Sequence, residues 1–175
     1  MKKIFFLMLI FGGKLMAFTI NSPDFGDNQL IPTKFTCEGD NISPALDWQD
    51  PPKGTISFAL IVDDPDAPDP NAPKMTWVHW VAYDIPASVL SIPQNIPPDE
   101  RLLNGGTSGF SDFKKYGYGG PCPPIGEHRY FFKLYALKTF LGLPPGKTKN
   151  DVMQALEGKV LGEAKFIGKY SKKNK

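Results

Sequence analysis

The chain has only two histidines, only two cysteines, and no apolar run longer than the eight residues IFFLMLIF near its start. Each shortage closes off a class of function. Zinc needs three or four ligands, and no closely spaced donors join His79 and His128 to complete a set. No Asp-x-Asp-x-Asp-Gly run with a distal glutamate occurs, so a calcium loop of the helix-loop-helix kind is excluded. No Gly-x-Ser-x-Gly occurs, which removes the serine-hydrolase elbow. Eight apolar residues are too few to span a bilayer. There is no repeat of twenty to fifty residues and no basic stripe, so neither a solenoid nor a nucleic-acid partner is expected. No metal, no cofactor and no catalytic residue is expected either.

What is present points to one β-rich domain. The 175 residues suffice for a proper core, and 18 prolines and 17 glycines break the chain into short pieces with no long helical pattern before its last quarter. Residues 1–17 read as a secretory signal. Lys2 and Lys3 precede the apolar run, and Ala17 supplies a small residue at the cut. Of the 20 basic residues, Lys2, Lys3 and Lys14 lie in this segment, so downstream of it 17 bases face 18 acids and the net charge is −1. The expected product is periplasmic or secreted, with a domain over 18–170 and a loose basic tail over 171–175. In an exported chain, an isolated pair such as Cys37 and Cys122 is expected to be bonded.

The strand signals are strong. TISFALIVDD is rich in β-branched residues and apolar enough for burial on both faces. TWVHWVAYDIP alternates, which puts Trp77, His79, Val81 and Tyr83 on one face and Val78, Trp80, Ala82 and Asp84 on the other. HRYFFKLYAL aligns His128, Tyr130, Phe132, Leu134 and Ala136. Thr148 and Asp151 resemble a capping box for a helix over DVMQALEG, with Gly158 as its stop. AKFIGKY closes the fold, with Ala164, Phe166, Gly168 and Tyr170 on one side.

Two stretches carry chemistry. In VDDPDAPDP, Pro65 and Pro68 restrict the residues before them, so Asp64 and Asp66 are held in fixed directions at a strand end, whereas Asp63 and Asp69 are expected to face solvent. In YGYGGPCPPIGEHRY, glycines let the backbone approach a ligand. The N–H groups around Gly119 and Gly120, with His128 and Tyr130, are candidates for cradling an oxyanion. The nearby carboxylates suit an ammonium group or a protonated histidine. Arg129 falls on the opposite face of its strand and reads as structural.

VDDPDAP, TWVHW and GPCPPIGEHRYFFKLYAL, in this order, resemble the signature segments of the phosphatidylethanolamine-binding proteins, also called Raf kinase inhibitor-like proteins. CEGDNISP, GGPCPP and LGEA resemble the bacterial branch. The resemblance implies a mainly β fold, with a large antiparallel sheet packed on a smaller one and a few short helices. It also implies a non-enzymatic protein with an anion pocket. That pocket would use Asp64, Asp66, His79, Gly119, Gly120, His128 and Tyr130, with Trp77, Pro121 and Cys122 in its lining. The implied partner is a small anionic or phosphorylated ligand, a phospholipid head group among them. A protease or kinase acted on through the pocket rim is the alternative, a hydrolase using Asp66 with His128 ranks last because nothing activates a nucleophile, and a homodimer stays open. Val78 stands where animal members carry a second histidine, a departure that bears on lipid specificity and kinase inhibition rather than on the anion pocket.

Overall fold

A computed structural model describes residues 17–103 and 105–173. The expected export segment lies outside the described residues apart from Ala17, as do the last two residues of the expected tail.

β4 (Ser57–Asp64) is buried along all eight of its residues, as an apolar strand covered on both faces must be. It is central in a six-stranded sheet of order β2-β9-β8-β4-β5-β7. Its neighbours are β5 (Trp77–Pro86) and β8 (His128–Leu137), both antiparallel to it. β9 (Val160–Tyr170) pairs with β8 along almost its whole length. The edges are short: β7 (Thr107–Ser108) beside β5, and β2 (Gln29–Leu30), which pairs parallel with β9. β1 (Thr19–Asn21), β3 (Leu46–Gln49) and β6 (Ser91–Ile92) form a second, three-stranded sheet. A 3-10 turn over Thr33–Phe35 and α1 (Lys149–Leu156) complete the elements.

Strand alternation sorts the core into two layers. Phe58, Leu60 and Val62 of β4, with Tyr130, Phe132 and Leu134 of β8, face the small sheet and meet Ile20, Leu46, Trp48 and Ile92. Ala59 and Ile61 face the other way, where Val152 and Leu156 of α1 cover them. Thr148 caps that helix: its hydroxyl accepts from the Asp151 N–H while the Asp151 carboxylate accepts from the Thr148 N–H. The helix begins at Lys149, two residues ahead of the sequence expectation. Gly158 follows its end at φ +67°, a conformation that glycine takes without strain.

β5 departs from simple alternation. Its register against β4 steps from Val62↔Trp80 to Asp63↔Val78, so His79 is an extra residue in the ladder. The bulge turns Val78 to the helix side, with Val81 and Tyr83, whereas Trp80 and Ala82 face the small sheet. His79 therefore packs against Tyr130 of the small-sheet face, with ring centroids 5.1 Å apart, rather than sharing a face with Val81 and Tyr83. A second step, between Phe58 and Leu60, makes Asp84 another extra residue, at φ +54°, and its carboxylate accepts from the N–H groups of Leu141 and Gly142.

The two adjacent carboxylates that end β4 go to opposite faces. Asp63 is fully buried on the helix side, corrected here from the expectation of a solvent-facing residue. Lys133 of β8 and Lys149 of α1 both donate to it, at 2.8 Å and 2.6 Å. Lys149 sits in the first turn of α1, where the helix dipole disfavours a cation, and Asp63 offsets that. Asp69 is only half-buried and accepts from the N–H of Asn71 in a local turn.

Candidate functional site

At the C-terminal end of β4, beside the starts of β5 and β8, the large sheet opens into a cavity of about 250 Å³. Asp64, His79, His128 and Tyr130 bring its polar groups, and Trp77, Phe113 and Met75 part of its apolar wall. Ala67 and Pro68 close one side, and Cys122, Pro123 and Pro124 the other. Three strands thus deliver the polar groups: β4 through Asp64, the bulge of β5 through His79, and the start of β8 through His128 and Tyr130.

The two histidines are held differently. Nδ1 of His79 donates to the Gly119 carbonyl at 2.6 Å, which leaves Nε2 as the other ring position. Burial holds His79 below the ordinary histidine range, against the opposing pull of that carbonyl and of Asp64. The ring is neutral near pH 7. His128, also buried, has an acceptor at each nitrogen: Asp64 Oδ2 lies 2.7 Å from Nδ1 and the Ile125 carbonyl 3.0 Å from Nε2. Only the doubly protonated ring donates to both. Tyr130 lies between the two rings. Its hydroxyl is buried and has no hydrogen-bond partner among the described residues. Burial first, and then the Asp64 charge, push the phenol upward, so it stays a neutral O–H donor.

Asp66 occupies a different place from that of its expected partner Asp64. It is buried and does not line the cavity. Its carboxylate accepts from Arg129 three times, from Nη2 at 2.7 Å, from Nε at 2.9 Å and from the backbone N–H at 2.9 Å. The guanidinium holds Asp66 below the usual carboxylate range. The Asp66 N–H in turn donates to Asp64 Oδ1 at 2.8 Å, which fixes the carboxylate that holds His128. Arg129 does point away from the cavity, yet through Asp66 it braces one wall.

The glycine loop also differs from its sequence reading. The Gly119 N–H donates to the His79 carbonyl and that of Gly120 to Asn41 Oδ1, both at 2.8 Å, so both donors are already engaged. A Cβ on Gly119 would lie 2.4 Å from the Phe113 ring, and one on Gly120 2.4 Å from the Phe35 carbonyl. Close packing requires these glycines. Pro121 is buried outside the cavity lining, and its carbonyl accepts from the Cys37 N–H. The Cys37–Cys122 disulfide, which spans 85 positions, ties that wall to the 3-10 turn region. Phe113 and Met75 were not singled out from the sequence. Neither sits in a motif, and only the fold brings them to the site.

The sequence model of the phosphatidylethanolamine-binding protein family matches residues 21–171. The chain belongs to this family. Among relatives, a protein of Methanothermobacter thermautotrophicus named UPF0098 is 51% identical over 146 residues, covering 83% of this chain and 93% of its own. An Aquifex aeolicus protein of the same name is 44% identical over 164 residues, covering 92% and 91%. Two solved structures share the fold. A Chlamydia trachomatis homologue of the phosphatidylethanolamine-binding proteins aligns with a TM-score of 0.81 at 32% identity, over 90% of this chain and 99% of that one. Escherichia coli YbcL, described as a new member of the mammalian family, gives 0.80 at 34%, over 89% and 99%. In this member of the family, the segments that carried the resemblance are the ones that converge on the cavity: the Asp-Pro-Asp turn, the Trp-Val-His strand start and the His-Arg-Tyr strand start.

Proposed function

We propose that this family member is a non-enzymatic binding protein whose cavity takes a small anionic ligand of the phosphomonoester kind, with an amine tolerated beside Asp64. The observation that carries the reading is the Tyr130 hydroxyl. A buried hydroxyl without a partner costs about 1–3 kcal/mol, and a ligand oxygen that reached it from the cavity Tyr130 lines would relieve that cost. His128 stands beside it, and Asp64 keeps that ring oriented. Among the described residues, no serine, threonine or cysteine thiol lines the cavity in a position to be activated by either histidine, which supports binding without turnover.

Titration with O-phosphoethanolamine tests the proposal. Saturable binding without release of inorganic phosphate is expected, and Tyr130→Phe should weaken it roughly tenfold, the scale of one hydrogen bond to a charged group. Turnover, or wild-type affinity in Tyr130→Phe, sinks the reading. A second reading, a protein that acts on a protease or kinase through the pocket rim, is favoured by apolar exposure around the mouth, where Met75 is 54% and Ile125 56% accessible. Capture of a protein partner that O-phosphoethanolamine displaces would establish it. We further propose that the chain is exported, on the strength of its basic and apolar start together with the Cys37–Cys122 bond.

A further inference from the structure

A second cavity, of about 150 Å³, lies beside the first. The two share Phe113 and Cys122 as lining residues, so one aromatic ring and the disulfide separate them. The loop that carries Phe113 is firmly built. Phe110 and Tyr116 bridge its ends, the Ser111 N–H donates to the Lys115 carbonyl, and Asp112 is tied to Val78 through both its N–H and its carboxylate. The Phe113 side chain is held by packing alone. It is 37% exposed and rests edge-on against Trp77 and His79, both at 5.5 Å.

The second cavity differs from the first in chemistry. Asn41 uses Oδ1 to accept from Gly120, which leaves its amide N–H groups as donors. Lys115 lines the cavity too, and its ammonium has no partner among the described residues. Ser111 and Tyr118 already donate to the carbonyls of Lys115 and Phe35. The available groups are therefore one cation and one amide, both donors, against a wall made of Phe113 and the disulfide.

We propose that this cavity is a subsite of the anion pocket, entered past the Phe113 ring, that takes a carboxylate carried by the phosphorylated ligand. The preferred ligand class is a phosphomonoester bearing a carboxylate within a few bonds of the ester, rather than a simple phosphorylated amine. The inference rests on the anion reading of the first cavity.

A matched pair of probes separates the two. O-phospho-L-serine is O-phosphoethanolamine with one added carboxylate. Calorimetry on the disulfide-bonded protein should show about tenfold tighter binding of O-phospho-L-serine, the scale of one charge-assisted hydrogen bond. In Lys115→Met the preference should shrink to within about twofold while O-phosphoethanolamine affinity stays unchanged, because Lys115 does not line the first cavity. Equal affinity for the two probes in the wild type, or a preference that survives in Lys115→Met, overturns the subsite and leaves the anion pocket standing. If neither probe binds, the anion reading falls and the subsite with it.

Discussion

Arg129→Met isolates the brace behind the pocket. The substitution keeps much of the aliphatic stem and removes both side-chain donors to Asp66, which keeps only the backbone N–H of residue 129. The exposures set the magnitude. The Asp66 side chain is 6% accessible and the Arg129 side chain 51%, so the carboxylate is left in a protein environment while water replaces part of what the guanidinium gave. Breaking a wholly buried pair costs about 3–5 kcal/mol, and exposed pairs are worth under 1. An intermediate loss of about 2 kcal/mol follows, or roughly 4–8 °C in Tm for a domain of this size.

The pH dependence distinguishes this ion pair from lost packing. Asp66 is depressed in the folded protein by Arg129, so its contribution is fully present above the unfolded carboxylate value near pH 4 and is lost as pH falls through the folded value below that. The stability gap between wild type and variant should therefore be constant from pH 5 to 8 and narrow on acidification. Urea unfolding of the wild type, Arg129→Met, Asp66→Asn and the double variant gives the coupling directly. A coupling below about 0.5 kcal/mol, or a gap that does not change down to pH 3, would refute the brace.

Asp63→Asn should cost about 2–4 kcal/mol in the same assay, because it leaves the Lys133 and Lys149 ammoniums facing each other without a counter-ion, whereas Lys149→Met should cost clearly less. Equal losses would mean that the carboxylate is not the centre of that cluster. Reduction of Cys37–Cys122 should lower stability by up to about 4–5 kcal/mol in the chain-entropy picture, and denatured, unreduced protein from an oxidising compartment should show no free thiol; two thiols per chain would contradict the bond.

Most of the framework was legible because it depends on short-range pattern. HRYFFKLYAL forms β8 over the residues expected, and the faces of β8 and β9 follow their period of two. The capping residues of α1 announced its start, although the helix begins at Lys149, two residues ahead of the expected DVMQALEG. What failed was alternation across β5. One inserted residue rotates everything before it to the other face, and nothing in TWVHWVAYDIP marks where the insertion falls. Yet that insertion sends His79 to the cavity. Asp63, expected to face solvent, failed for a different reason: its partners Lys133 and Lys149 are 70 and 86 positions away, and only the closed sheet brings them to it.

The glycine loop shows how a correct location can come with the wrong cause. Gly119 and Gly120 border the site as their motif suggested, yet their N–H groups are engaged with His79 and Asn41. Gly119 is needed because Phe113 lies where its Cβ would be, and Gly120 because the Phe35–Asn41 segment crosses there. The donors that remain for a ligand are consequently side chains, whose number and direction are set by three strands rather than by a flexible loop. A single aromatic side chain, Phe113, stands between the two cavities. Selectivity between ligands should then depend on what passes that ring, and a variant such as Phe113→Ala should change which ligands bind more than how tightly phosphate itself is held.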